Sequence, residues 1–240
     1  MKVGLFDSGV GGLTVLKELI DKYPHNQYYY FGDNINVPFG TKSKYELKIL
    51  SENIIQFLLS KDVDIIIIAC GTVSANLSEY LKNKYNIPIY DIISPTIKYL
   101  NDSNYNDIGI IATEMTVKSN IFKKVAKRVY QQACPLLVPL IEKDLDYLKE
   151  LNYYISKLPK FDVLVLGCTH YSIFESYLKK ININTINMGK ILCDSIKIKG
   201  NKESKINLYF SKVNHQLINN IEKIIKYDYQ LEELCLNYQK

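Results

Sequence analysis

The sequence predicts an α/β protein made of two similar parallel-sheet lobes that face each other across a central cleft. Three observations lead there. Short apolar strand patterns alternate with helical ones along the chain, which indicates βαβ units and parallel sheets. One strand pattern occurs twice, as Asp64-Ile65-Ile66-Ile67-Ile68-Ala69-Cys70-Gly71-Thr72 and as Asp162-Val163-Leu164-Val165-Leu166-Gly167-Cys168-Thr169-His170. Two polar stretches, Asn101 to Asn106 and Gly200 to Ser204, interrupt the alternation. They divide the chain into a lobe of residues 1–100 plus 205–240, carrying Cys70, and a lobe of residues 101–204, carrying Cys168.

The elements follow in order. Lys2 to Phe6 reads as a strand, and the turn Asp7-Ser8-Gly9-Val10-Gly11-Gly12 follows it. Leu13, Leu16, Ile20 and Tyr23 then recur at helical spacing. Glycines in such a turn let backbone N–H groups approach an anion, or supply positive φ. The turn is neither GxGxxG nor a Walker pattern, so a nucleotide is not indicated. Gln27 to Phe31 is the next strand, with a loop through Val37-Pro38-Phe39-Gly40-Thr41 and a helix presenting Leu50, Ile54, Phe57 and Leu58. After the first cysteine strand come a helix with Leu77, Tyr80 and Leu81, a strand Ile87 to Tyr90, and a helix opened by Ser94-Pro95. The second lobe restarts with strand Ile108 to Ala112, a helix from about Ser119, and strand Val129 to Ala133. A loop from Cys134 to Glu142 and a helix to about Lys157 lead to the second cysteine strand. Strand Asn184 to Asn187, helix Gly189 to Lys199, strand Ile206 to Phe210 and a helix through Leu217, Ile221, Ile224 and Ile225 complete the chain.

Composition narrows the class. With 240 residues, 47% hydrophobic and 23% charged, the chain fits a globular protein with ample core. The net charge of +5 is mild and the lysines are dispersed, so nucleic acid is not an expected partner. No apolar run approaches the roughly 20 residues that a membrane helix needs. The strand pattern at the N-terminus replaces a long apolar h-region, so no signal peptide is expected. Five cysteines with no CxxC pair argue against a disulfide framework and a structural zinc site, and for a reducing, cytoplasmic setting.

The chemistry centres on the two thiols. Each should lie where a parallel strand ends and a helix begins, the edge at which open α/β sheets bind ligands. A Thr follows one or two residues later in each case, a good helix N-cap. A helix N-terminus favours thiolate. Two thiols on opposed lobes could reach both faces of one molecule, one taking a proton and the other giving one, which is racemisation by two bases. Asp7 at the end of the first strand and His170 beside Cys168 are the candidate assistants. Nucleophilic attack by Cys168 with His170 as base is the weaker reading. Residues two apart on such a turn seldom meet, and Cys70 would be left without work. Cys134, Cys193 and Cys235 lack the doubled context and are expected to be structural.

These residues resemble the glutamate racemases, in the cofactor-independent aspartate/glutamate racemase family. The resemblance covers nearly the whole chain. It runs through Phe6 to Val15, Tyr30-Phe31-Gly32-Asp33, Val37 to Ser43, Ala69 to Thr72, Ile110 to Thr113 with Thr116 and Ser119, Cys134 to Glu142, and Leu166 to Tyr171. It implies PLP-free interconversion of L- and D-glutamate, the D form feeding peptidoglycan synthesis, by a homodimer with no cofactor and no metal. It places the catalytic cysteines at Cys70 and Cys168, with Asp7 assisting the first and His170 and Glu142 the second. Substrate would meet Asp7, Ser8, Phe39, Gly40, Gly71, Thr72, Thr113, Thr169 and His170. A racemase of a related amino acid such as aspartate, or a non-catalytic amino-acid-binding homologue, is the alternative. This chain departs from the family at Gly71, where Asn is usual, and at Phe39, Ser172 and Asn187, where Tyr, Pro and Asp are common. A lost amide contact at position 71 is expected to cost about 1–3 kcal/mol of substrate binding.

Overall fold

The computed structural model describes residues 1–200 and 203–236. Residues 201, 202 and 237–240, which belong to the second polar break and to the expected end of the first lobe, lie outside the described residues. In chain order the first part holds β1 (Lys2–Asp7), α1 (Leu13–Lys22), β2 (Gln27–Gly32), α2 (Lys44–Leu59), β3 (Ile65–Ile68), α3 (Gly71–Lys84), β4 (Ile89–Asp91) and α4 (Ile93–Asp102). The second holds β5 (Asp107–Ala112), α5 (Glu114–Lys118), β6 (Arg128–Ala133), α6 (Leu137–Glu142), α7 (Leu148–Ile155), β7 (Val163–Leu166), α8 (Glu175–Lys180), β8 (Thr185–Asn187) and α9 (Met188–Ser195). The chain then returns with β9 (Lys205–Phe210), α10 (His215–Ile224) and β10 (Gln230–Glu233).

The strands form two all-parallel sheets, ordered β10-β9-β2-β1-β3-β4 and β6-β5-β7-β8. The doubled sequence pattern occupies equivalent places in both. β3 flanks the central β1 and β7 flanks the central β5. Ala69 N–H donates to Phe6 C=O at 3.0 Å in one sheet, and Gly167 N–H donates to Ile111 C=O at 2.8 Å in the other.

Both cysteine strands are buried on both faces, which is why their apolar runs are unbroken. Their side chains alternate between cores. Ile65, Ile67, Val163 and Val165 enter one large core that joins the two lobes through α1, α4 and α9. Ile66 and Ile68 face a second core under α2 and α3, and Leu164 and Leu166 a third under α7 and α8. Each such side chain contributes roughly 1.5–3 kcal/mol on burial. That shared core lays the two carboxyl edges against each other.

Several boundaries differ from the sequence reading, each for a local reason. α4 begins at Ile93 rather than at Ser94, because the Asp91 carboxylate accepts from the N–H groups of Ile93 at 3.0 Å and Ser94 at 2.8 Å and so caps the helix. The helix expected from Ser119 starts at Glu114 instead, capped by the Thr113 hydroxyl, and Ser119 ends it. The segment 134–142, expected as a loop, contains α6, whose Pro139 lies in the first turn, where its missing N–H costs no helical bond. α9 stops at Ser195. β10 has little apolar patterning to mark it in the sequence, and it adds an edge strand beside β9.

Candidate active site

Cys70 leaves β3 in an extended conformation and is the N-cap residue of α3. Cys168 leaves β7 likewise and precedes a 3₁₀ turn spanning Thr169–Phe174. The expectation that the neighbouring threonines cap these helices is corrected. Thr72 and Thr169 sit inside the first turns, and their hydroxyls cross the cleft. Thr72 Oγ1 lies 2.9 Å from Thr113 Oγ1, and Thr169 Oγ1 donates to Asp7 Oδ2 at 3.1 Å.

Both thiols line one chamber between the lobes, with Asp7, Ser8, Phe39, Gly40, Thr72, Thr113, Thr169 and His170 around them. Pro38 and Val138, not singled out from sequence, complete the wall. The chamber is nearly shut, with a volume of about 10 Å³ for a water-sized sphere, room for about one water. A larger cleft of about 410 Å³ lies behind His170, against Tyr147, Asn220 and Lys223, and includes neither thiol. Two expected site residues stand outside the chamber wall. Gly71 faces the backbone of Gly167, and Glu142 reaches His170 from behind.

Each sulfur has an acid–base partner at hand. Asp7 ends β1 and is fully buried. Its Oδ2 accepts from Gly12 N–H at 2.6 Å as well as from Thr169, while Oδ1 has no hydrogen-bond partner. Burial raises its carboxyl above the ordinary range, against the pull of His170 and of the Gly12 and Thr169 donors. Burial, then the Asp7 charge, push the Cys70 thiol well up, and the N–H groups of Val73 and Thr72 pull it only partly back. The expectation that the helix end favours thiolate therefore fails at Cys70, where burial and a neighbouring carboxylate outweigh the macrodipole.

On the other side, His170 Nδ1 lies 3.7 Å from Cys168 Sγ, and Nε2 lies 2.6 Å from Glu142 Oε1. The expectation that thiol and imidazole two residues apart do not meet is thus corrected; the tight 3₁₀ turn folds the ring back onto the sulfur. Burial alone lowers the His170 pKa, but its contacts with Cys168 and Glu142 outweigh this and hold it well above the ordinary value. Glu142 Oε1 also accepts from Val10 N–H at 3.2 Å, which ties the second lobe to the glycine-rich turn of the first.

That turn works by close approach. A Cβ on Gly11 would stand 2.5 Å from His170 Nδ1, so the histidine can seat only against glycine. Among the described residues no glycine has positive φ, so the turn does not need glycine for that reason.

Of the other departures, Phe39 stands in the chamber wall, and Ser172 and Asn187 line a small pocket that Cys168 also borders. Asn187 caps α9, accepting from Gly189 N–H at 2.9 Å, and Ser172 Oγ donates to Thr169 C=O at 3.0 Å. Cys134 and Cys193 are buried among apolar neighbours, with the Cys193 thiol pushed up to about 12 by burial, whereas Cys235 is exposed and so is not part of a core. Among the described residues no cluster of three or more His, Cys, Asp or Glu side chains is placed to hold a metal ion. No helix among them is long and apolar enough to cross a membrane.

Two facing parallel α/β lobes with a thiol at each carboxyl edge define an isomerase of the amino-acid racemase class. No family model matches the chain. It is 37% identical to the glutamate racemase of Aquifex pyrophilus, over 97% of each chain. It is 35% identical to that of Aquifex aeolicus, over 94% of this chain and 93% of the relative. The solved structure of glutamate racemase from Francisella tularensis in complex with D-glutamate superposes with a TM-score of 0.85 at 29% identity, covering 99% of this chain and 98% of that one. The chain belongs to the glutamate racemase family.

Proposed function

We propose that the protein interconverts L- and D-glutamate by removing and returning the Cα proton, with Cys70 and Cys168 as the two bases and no cofactor. The observation that carries this is the shared chamber, in which each thiol has its own proton-handling neighbour: Asp7 beside Cys70, and His170 backed by Glu142 beside Cys168. The relatives named glutamate racemase and the likeness to the D-glutamate complex support glutamate as substrate.

In one direction the Cys70 sulfur, deprotonated with Asp7 as acceptor, takes the Cα proton from one face. The electron pair left at Cα is reprotonated from the other face by the Cys168 thiol. His170 then restores the Cys168 proton, and Glu142 holds the charged imidazole in place. The reverse direction exchanges these roles. Ser8, Thr72, Thr113 and Thr169 are the polar chamber groups that would hold the amino acid, with the walls at Phe39 and Gly40 fixing its orientation. Opposed sulfurs suit this chemistry because the planar carbanion presents both faces at once.

The same reading places the enzyme in the cytoplasm as a homodimer, supplying D-glutamate to peptidoglycan synthesis for cell-wall biogenesis and cell shape. It divides the chain into lobes 1–100 plus 205–240 and 101–204, with α9 packed against α1 and α4 of the first lobe. The test is to incubate reduced protein with pure L- or D-glutamate in heavy water, without added cofactor. Loss of optical activity with deuterium entering Cα supports the proposal. Aspartate turning over faster than glutamate moves the assignment to aspartate. Tight glutamate binding without exchange leaves a binding protein.

A further inference from the structure

We infer that Gly71 is a positioning residue: the side chain it lacks sets how far the lobes close, and so how near the two thiols come. The inference deepens the glutamate racemase reading and rests on it. Gly71 is the first residue of α3, next to Cys70, and Gly167 immediately precedes Cys168. A Cβ on Gly71 would stand 2.7 Å from the Gly167 carbonyl oxygen and 3.6 Å from Met188 Cε. Gly167 is held in its own sheet. Its N–H is bonded to Ile111 C=O at 2.8 Å, and a Cβ of its own would stand 2.9 Å from the Ala112 Cβ. Any side chain at position 71 therefore moves one lobe against the other, and the displacement falls one residue from each sulfur.

The same seam is closed by three hydrogen bonds, Thr169 to Asp7 at 3.1 Å, Thr72 with Thr113 at 2.9 Å and Val10 N–H to Glu142 at 3.2 Å. The first two tie chamber groups to one another and the third lies behind His170, while the chamber has room for about one water. The structure shows this seam shut, and an amino acid standing between the thiols displaces it. Glycine at position 71 makes the shut state possible. A side chain there starts against the backbone of the facing lobe, outside the chamber wall.

The test uses full-length Gly71→Ala and Gly71→Asn. Reduced, unliganded protein is treated with iodoacetamide, and each cysteine is followed by peptide mass spectrometry. Opening the seam is expected to accelerate alkylation of Cys70 and Cys168 by roughly tenfold, the effect of a tenfold shift in the closed population, with Cys193 unchanged. For glutamate, kcat and KM are both expected to fall, because the thiols stand farther apart and the shut state no longer competes with substrate. Unchanged alkylation of the two chamber thiols overturns the inference. So does equal acceleration at Cys193, which reports general loosening, and so does a raised KM at unchanged kcat, which reports a lost substrate contact. Should Gly71→Ala fail to fold, amide exchange in the native protein decides. Slow exchange at Val10, like that of β1, is expected, and fast exchange overturns the shut state. Both the alkylation and the exchange are read without substrate, so an inactive native protein would refute the racemase reading and leave these readouts standing.

Discussion

Glu142 Oε1 lies 2.6 Å from His170 Nε2, and the opposite ring nitrogen faces Cys168 Sγ at 3.7 Å. A carboxylate behind the imidazole favours its charged form, so His170 can give a proton toward the sulfur and be stabilised while it holds one. Glu142→Gln keeps an oxygen that can accept from Val10 and removes the charge. Positioned acid–base groups contribute about 10²–10⁴-fold, so kcat is expected to fall by roughly 10²-fold with KM little changed. The His170 ring resonances, followed by NMR, should titrate at lower pH than in the native protein. An unmoved titration would show that Glu142 does not hold the charge.

The shared chamber makes a stereochemical prediction. In heavy water, a proton removed at one face and replaced at the other labels the product first. Early in the reaction the inverted enantiomer should carry deuterium at Cα while the remaining substrate stays protiated, as read by proton NMR with chiral separation. Equal labelling of both would mean one base serves both faces. Cys70→Ser and Cys168→Ser should each reduce racemisation by at least about 10²-fold, because a serine hydroxyl is a far poorer base than a thiol.

Much of this site was legible in the sequence because strand ends in parallel sheets are set by short local patterns. The doubled Asp–apolar–Cys run fixed where both thiols emerge, and Asp7 followed from the end of β1. What local pattern could not show was distance across the cleft. The hydroxyls of Thr72 and Thr169 look like helix caps until the facing lobe supplies Thr113 and Asp7 as partners. At position 71 local pattern shows an absent side chain, and only the fold puts the Gly167 carbonyl against it. Pro38 and Val138 carry no chemical signal and enter the chamber wall only through tertiary packing. β10 carries no sequence signal because an exposed edge strand need not alternate.

Asp7 gives a prediction in which stability and activity move in opposite directions. Its carboxyl is raised by burial above an unfolded value near 3.9. Between the two values the folded protein binds more protons than the unfolded chain, so stability falls as pH rises through that window. When ionised, the buried carboxylate is a burden that His170 and its hydrogen-bond donors only partly offset. Asp7→Asn retains an acceptor for the Gly12 and Thr169 donors and removes that burden. A gain of about 1 kcal/mol would raise Tm by roughly 2–4 °C in a chain of this size. Racemisation should fall by roughly 10²-fold, because the carboxylate beside Cys70 is gone. A lowered Tm measured by calorimetry at pH 7 would show that ionised Asp7 is held favourably.

His170 sets the alkaline side. Its pKa is raised above the unfolded value near 6.5 because its contacts with Cys168 and Glu142 outweigh the opposing effect of burial. A raised basic group contributes stability that is fully present below the unfolded value and is lost as pH rises through the folded one. Native Tm should therefore decline as pH climbs above about 6.5. His170→Gln, which cannot take up the proton, should show a shallower decline over the same range and start from a lower Tm at pH 6. Glu142→Gln should lie between the two, since it weakens the raised titration without removing the ring. The ordering native, Glu142→Gln, His170→Gln in pH sensitivity is the signature of a charged imidazole held between sulfur and carboxylate. Three parallel curves would mean that His170 is neutral in the folded protein, and that the Cys168 proton has another source.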